Sequence, residues 1–177
     1  MSVVVLGIGN ILLTDDGIGV RVVEALEQAG PQGALRDARL RDGGTIGLAL
    51  LSEIDPDGVL VAVDAMEMGE APGTVRVFEG AAMDLALSGI KRTAHEVALS
   101  DLMMAAELSG AAPDRRALVA IQPDSTGWGL ELTPNVAAAV PVAARAVETV
   151  VARWTREIAA ATLSAAIETG RETAGHV

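Results

Sequence analysis

The chain has 177 residues, a length typical of one domain that buries its core without disulfides. Its 24 acidic residues outnumber 13 Lys and Arg, and the net charge of −11 disfavours nucleic acids and anionic membranes as partners. The absence of cysteine excludes disulfides, thiolate metal sites and a cysteine nucleophile. The N-terminus does not resemble a signal peptide, and no apolar run reaches ~18 residues. We therefore expect a cytoplasmic protein without a membrane-spanning helix.

The first half of the chain alternates apolar runs with helical periodicity. Apolar runs at residues 3–6 and 59–63 predict buried parallel strands. Apolar residues at helical spacing predict a helix over residues 18–29, which Gly30-Pro31 ends. Alternating apolar and charged residues over 38–42 predict a second strand, nearer an edge of the sheet.

The second half adds two strands and two helices. Asp64 closes the third strand, and only the nine residues 65–73 lie between it and Thr74, which precedes the next strand at residues 75–77. A parallel crossover needs about a dozen residues, so we expect this strand to be antiparallel and at an edge. Helical periodicity over residues 95–109 and an apolar run at 118–121 come next. Thr133-Pro134 is typical of a helix N-terminus and precedes a long amphipathic pattern.

This order of elements predicts a three-layer α/β/α sandwich. Its five-stranded sheet should be mostly parallel, with one antiparallel edge strand. We expect a single domain over residues 1–160 and a frayed C-terminal tail over residues 161–177, where the apolar pattern is lost.

The loop after the first strand carries the adjacent carboxylates Asp15 and Asp16. The glycine pair Gly7 and Gly9 is typical of a dinucleotide-binding turn, but Leu12 replaces the third glycine of that fingerprint. Two carboxylates at this point would also repel a pyrophosphate. Capping of the following helix is a common role for such an aspartate, although one cap needs only one carboxylate.

Asp64 ends the apolar third strand. Ligands of open α/β sheets bind at the carboxyl ends of strands where the strand order reverses, and this point should lie between strands one and three. Asp16 and Asp64 would then face one crevice, whereas a turn residue is the simpler alternative for Asp64. His95-Glu96 begins like a zinc-binding H-E-x-x-H helix, but Leu99 occupies the fifth position.

A lone histidine is more often a packed or capping residue than a metal ligand. Together, however, Asp16, Asp64 and His95 offer two carboxylates and one imidazole. This set suits a borderline divalent metal that keeps open positions for water or substrate. A serine nucleophile is disfavoured because the chain has no G-x-S-x-G elbow.

The motifs, taken in order, resemble those of the maturation endopeptidases of nickel–iron hydrogenases. The matching segments are Gly7-x-Gly9-Asn10-x-Leu12-x-x-Asp15-Asp16-Gly17-x-Gly19, Asp42-Gly43-Gly44-Thr45-x-Gly47, Asp64-Ala65, Pro72-Gly73-Thr74-Val75, His95-Glu96 with Leu99 and Asp101-Leu102, Ile121-Gln122-Pro123 and Gly129-Leu130-x-Leu132-Thr133-Pro134-x-Val136. Each segment alone is a weak signal, but the ordered set is specific.

The resemblance implies an aspartyl-type endopeptidase with a single α/β/α domain. Its expected substrate is the large subunit precursor of a hydrogenase, which carries nickel and loses a C-terminal extension. The resemblance implies that Asp16, Asp64 and His95 bind this nickel, and we expect them to be the catalytic residues as well. The segment from Asp42 through Gly43 and Gly44 to Thr45 is expected to recognise the substrate.

Two alternatives stay open at this stage. Some relatives have glutamate at the first ligand position, and because aspartate is shorter by a methylene, either Asp15 or Asp16 is compatible with that role. A non-enzymatic nickel carrier or sensor could use the same three ligands. We expect a monomer, with no nucleic-acid or membrane partner.

Overall fold

A five-stranded sheet forms the centre of the protein. The computed structural model describes residues 2–44, 47–88 and 94–174, and the side chains of residues 94–98 and 165–174 lie outside this description. The strands are β1 (Val3–Ile8), β2 (Arg39–Gly44), β3 (Val59–Ala65), β4 (Val75–Glu79) and β5 (Arg115–Ile121). Their spatial order is β2-β1-β3-β5-β4. Only the β4–β5 pair is antiparallel among these strands, which confirms the predicted sheet.

Helices cover both faces of this sheet and complete the predicted sandwich. The helices are α1 (Ile18–Ala29), α2 (Ala81–Leu87), α3 (Ala94–Leu108) and α4 (Pro134–Ala174). One core cluster joins α1 and α4 to one face of the sheet, and a second joins α2 and α3 to the other. The sequence pattern did not reveal α2, whose seven residues are too few to establish a helical period.

Gly19 allows α1 to lie directly against the sheet. A Cβ atom at this position would lie 2.1 Å from the Val63 carbonyl oxygen and 2.3 Å from that of Ile8. Because both oxygens belong to the backbone of the central strands, neither can move aside easily. Gly19 therefore supplies the close helix–strand contact that a dinucleotide fold obtains from the glycine replaced here by Leu12.

Helix α4 is longer than predicted. The expected frayed structure after Ala160 is wrong, because α4 continues to Ala174. Alanine, the strongest helix former, occurs four times in residues 161–174 and favours this continuation. Residues 161–164 are exposed, and the division of the chain at residue 160 stays a prediction.

Part of α4, Pro134–Ser164, is long and apolar enough to cross a membrane by length and composition. This is weak evidence for a membrane span, because the core helix of a soluble protein has the same properties. The helix packs against the sheet through a row of buried side chains. They are Val136, Ala139, Ala143, Val147, Val150, Val151 and Trp154.

Candidate functional site

The carboxyl ends of β1 and β3 form the switch point of the sheet. From β1 the chain runs to β2 on one side and then to β3 on the other. The strand order thus reverses between β1 and β3, as expected from the sequence. Ligands of open α/β sheets bind in the crevice outside this point.

The β1–α1 loop, residues 9–17, folds tightly around the carboxylate of Asp16. Gly9 has a φ of +126°, and a Cβ atom there would lie 1.8 Å from the Asp16 carbonyl oxygen. The Asn10 amide donates a hydrogen bond to Asp16 Oδ2 at 3.0 Å, and Asn10 Oδ1 accepts one from the Leu12 amide at 3.0 Å. Asp16 is 1% exposed, so its carboxylate is positioned by the loop and buried within it.

Asp64 lies at the carboxyl end of the central strand β3, on the same side of the sheet as the β1–α1 loop. Side chains alternate between the two faces of a strand, and Leu60 and Ala62 face the layer that contains α3. Asp64 lies two residues after Ala62, so its side chain is on the same face, and only 3% of its surface is exposed. The 3-10 turn Thr14–Gly17, which carries Asp16, packs against β3. Asp16 and Asp64 therefore both lie near the carboxyl ends of the central strands, and their use in one site stays a prediction.

His95 is the second residue of α3, and its side chain lies outside the described residues. By helical spacing, position 95 lies one turn before Leu99, which packs in the same core cluster as Leu60 and Ala62. Among the described side chains, no group of three His, Cys, Asp or Glu could hold a metal ion. Because the predicted set includes His95, binding of metal by Asp16, Asp64 and His95 stays a prediction.

The predicted recognition segment begins in β2. Asp42, Gly43 and Gly44 complete this strand, which therefore extends two residues beyond its predicted end at residue 42. The pairing with β1 skips Gly43, which leaves a bulge, and Gly44 has a φ of +45°. The Gly44 amide donates to Asp42 Oδ1 at 2.9 Å and shapes the end of the strand. Thr45 lies outside the described residues.

A shallow cleft joins the end of β2 to the β1–α1 loop. Its volume is about 180 Å³, and its lining residues are Gly9, Asn10, Ile11, Val20, Asp42 and Gly44. The segment predicted to recognise substrate and the loop that carries Asp16 therefore share one cleft.

Asp15 does not cap the helix that follows it. Neither the 3-10 turn nor α1 has a side-chain cap bond. The Asp15 carboxylate instead accepts the amides of Asp124 and Ser125 at 3.0 Å each, and from Thr133 the amide at 2.7 Å and the hydroxyl at 2.9 Å. Asp15 is fully buried, and it holds the β5–α4 loop, residues 123–133, against the β1–α1 loop.

Sequence reasoning missed the part that Thr14 plays in the same junction. Thr14 has a φ of +40°, which is strained for a β-branched residue. Its amide donates to the Gly129 carbonyl oxygen at 2.8 Å, and its hydroxyl donates to the carbonyl oxygens of Ser125 and Gly127. In return, the Gly129 amide donates to the Leu12 carbonyl oxygen at 3.0 Å. No local signal reveals these contacts, because the partners are more than a hundred residues apart.

The sequence analysis also did not identify Gln122, whose side chain positions the loop after β3. It follows β5 and is 4% exposed. Its Oε1 accepts the amides of Met68 at 2.7 Å and Glu70 at 3.3 Å, and its Nε2 donates to Glu67 Oε2 at 2.9 Å. Gln122 thus fixes the loop that follows Asp64. The rule that singled out Asp64, a polar residue after a buried strand, applies equally to Gln122.

Replacing Asp15 by Asn is expected to destabilise the fold by about 3 kcal/mol, because hydrogen bonds to a buried carboxylate are strong. Asparagine keeps the shape but presents N–H donors where the carboxylate accepts them. In a chain of this size the melting temperature should fall by about 10 °C. Circular dichroism measures this value, with Asp114→Asn at an exposed carboxylate as the control. Equal melting temperatures for the two variants would contradict the structural role of Asp15.

The comparisons with known proteins agree with this architecture. A family model described as HycI, hydrogenase maturation protease, matches residues 20–150, which begin just after the β1–α1 loop. The hydrogenase 2 maturation protease of Escherichia coli (strain K12) is 38% identical over 142 residues, which cover 79% of this chain and 84% of the relative. The hydrogenase expression/formation protein HupD of Rhizobium leguminosarum bv. viciae is 35% identical over 153 residues, 86% of this chain and 75% of HupD.

Solved structures give the same result. The hydrogenase maturating endopeptidase HybD from E. coli superposes with a TM-score of 0.75 at 36% identity, covering 83% of this chain and 90% of HybD. The [NiFe] hydrogenase maturation protease HybD from Thermococcus kodakarensis gives 0.69 at 26% identity, covering 85% and 99%. With the family model spanning most of the chain, these matches show that this peptidase belongs to the hydrogenase maturation protease family.

Proposed function

We propose that this protein removes the C-terminal extension from the nickel-loaded large subunit precursor of a nickel–iron hydrogenase. The reaction would take place in the cytoplasm, with the protease acting as a monomer. One observation carries the proposal: a protease of this family presents two buried carboxylates, Asp16 and Asp64, at the switch point of its sheet.

Nickel enters this proposal as part of the substrate. Two carboxylates and one imidazole suit a borderline divalent cation and leave positions for the ligands of the large subunit. The Asp16 carboxylate is held by the Asn10 amide, so little ordering is needed when the cation arrives. We assign the docking of nickel to Asp16, Asp64 and His95, and recognition of the adjacent chain to the segment from Asp42 to Thr45.

The hydrolysis itself requires transfer of a proton. A water oxygen adds to the carbonyl carbon of the scissile bond, and the C–N bond then breaks. A base takes a proton from the water, and the leaving nitrogen receives one. Carboxylates such as those of Asp16 and Asp64 perform this transfer in many hydrolases, and on this basis we assign the catalysis to them.

Cleavage of the isolated precursor tests the proposed function. The purified protein is incubated with nickel-loaded large subunit precursor, and both products are weighed by mass spectrometry. We expect a shortened large subunit and a peptide whose masses sum to that of the precursor plus one water. Nickel binding without any cleavage would favour the alternative, a carrier, and would contradict the assignment as a protease for this substrate.

Cleavage should not depend on a serine. Ser109 Oγ donates to the Ala105 carbonyl oxygen at 2.7 Å, and Ser125 Oγ accepts the Gly127 amide at 3.3 Å. Alanine at Ser100, Ser109 or Ser125 is therefore expected to change kcat/KM by about threefold at most, since one modest hydrogen bond is lost. Steady-state kinetics on the precursor measures this effect. A loss of several orders of magnitude in any one variant would refute the carboxylate mechanism.

A further inference from the structure

An apolar surface stands beside the candidate site. It consists of Ile11 and Leu12 from the β1–α1 loop and Trp128 and Leu130 from the β5–α4 loop, with exposed fractions of 40%, 47%, 85% and 60%. The two loops are joined at its centre, where the Gly129 amide donates to the Leu12 carbonyl oxygen. The four side chains therefore belong to one continuous part of the protein surface.

Trp128 is the most unusual member of this surface. The chain has only two tryptophans and one phenylalanine. Trp154 is 7% exposed and packs in the core, as expected for a large aromatic side chain, whereas Trp128 is 85% exposed. Tryptophan is strongly enriched among the residues that dominate protein–protein binding, because it buries a large area with few rotatable bonds.

The loop that displays Trp128 is held in one conformation. Asp15 accepts the amides of Asp124 and Ser125, and the Thr14 hydroxyl donates to the Ser125 and Gly127 carbonyl oxygens. These bonds lie immediately before Trp128 in the chain. A surface ordered in advance loses less conformational entropy on binding, which is typical of a docking surface.

The charges around this surface identify the kind of partner. Asp124 and Glu131 flank it in the same loop, and both are exposed. The nearby cation Arg21 is already engaged, because its guanidinium donates to the Leu130 carbonyl oxygen at 3.2 Å and pairs with Glu24 at 3.0 Å. The complementary partner is therefore an apolar surface with basic flanks.

These charges disfavour other occupants. A second copy of this chain would bring the same acidic flanks against each other, because a two-fold interface pairs a surface with itself. An anionic lipid surface would be repelled in the same way. A different protein with basic side chains near the contact meets neither obstacle.

We propose that this apolar surface docks the hydrogenase large subunit precursor. The inference rests on the proposed function, because it takes its partner from there. The surface is continuous with the loop that carries Asp16, so a substrate bound at the candidate site extends over it. Contacts here lie away from the reacting bond and are made equally before and during cleavage. They therefore strengthen binding and leave the chemical step unchanged.

Two substitutions test the docking surface. In Trp128→Ala and Leu130→Ala, KM for the nickel-loaded precursor should rise about tenfold or more, with kcat unchanged. Leu108→Ala is the matched control, because Leu108 is 84% exposed and ends α3 shortly before β5 begins. This position is near the amino ends of the strands, whereas the site is at their carboxyl ends. We expect this control to behave like the wild type. Values of KM within about twofold of wild type in both test variants, or equal losses in the control, would overturn the proposal.

A direct binding measurement separates this inference from the proposed function. Calorimetry with the precursor should show weaker binding by Trp128→Ala than by the wild type, whether or not cleavage follows. Wild-type protein that binds precursor without cutting it would contradict the proposed function alone, whereas equal binding by both proteins would contradict the docking surface alone. Self-association of the wild type that Trp128→Ala abolishes would assign the surface to a second copy and overturn the proposal.

The acidic flanks provide an independent readout. Removing both charges, with Asp124→Asn and Glu131→Gln together, should make precursor binding less sensitive to salt, because fewer opposite charges meet in the complex. The matched change at Asp57 and Asp114, two exposed carboxylates elsewhere on the chain, should leave the salt dependence unchanged. An unchanged salt dependence in the first double variant would contradict a partner with basic flanks.

Discussion

Nickel-free large subunit precursor should be cut more slowly than the nickel-loaded form of the same sequence by about 100-fold or more, the effect of removing one partner from a buried charge pair. Asp16 and Asp64, near the carboxyl ends of the central strands, are only 1% and 3% exposed. Without a cation, a docking precursor brings these carboxylates no compensating charge. On the proposed function, the divalent cation supplies this charge, and its attraction to two buried carboxylates is strong. Product formation over time, measured by mass spectrometry, gives the two rates.

The matched control for this experiment is the nickel-free precursor after nickel has been restored to it. Recovery of cleavage would show that the metal, and not damage to the precursor, causes the difference. Equal rates for loaded and nickel-free precursor would contradict the idea that nickel controls cleavage. The protease would then recognise the polypeptide alone.

Asp64→Asn should lower kcat/KM by about 100-fold or more, because on the proposed function the variant removes a charge that faces the cation. Asparagine has nearly the same shape, so the fold should be retained. Asp114→Asn, at an exposed position, is the control and should cleave like the wild type.

Calorimetry with nickel or cadmium should show one site in the wild type. This site should be lost in Asp64→Asn and in His95→Ala, and unchanged binding in both variants would contradict the three-ligand assignment.

Asparagine substitutions at the two neighbouring aspartates, Asp15 and Asp16, should have different effects in the same assays. Asp16→Asn should lose cleavage and keep its stability, since the amide oxygen can still accept the Asn10 amide at the position of Oδ2. Asp15→Asn should lose stability because four hydrogen bonds converge on its carboxylate. Measured well below its melting temperature, Asp15→Asn should still cut. An inactive Asp15 variant beside an active Asp16 variant would reverse this choice of ligand.

The sequence by itself determined the layout of the sheet and the position of Asp64 at the end of a buried strand. Apolar runs at the positions of β1 and β3 favour strands that are buried on both faces in the centre of a sheet. The short connection before β4 rules out a parallel crossover and therefore implies an antiparallel edge strand. Asp64 follows from the same reasoning, because a carboxylate at the end of a buried strand must lie at the carboxyl edge. All of these features depend on residues that are close together in the chain.

Only the tertiary structure decided what distant residues do to one another. Asp15 and Asp16 are adjacent and chemically identical, yet the partners of Asp15 lie 109 to 118 residues further along the chain. Trp128 and Trp154 are the same side chain, and which of them is buried depends on whether another element packs against it. Local patterns report the periodicity of a segment. They do not show which distant loop will contact that segment, because the contact forms only after the sheet has placed the carboxyl ends of β1 and β5 on the same side.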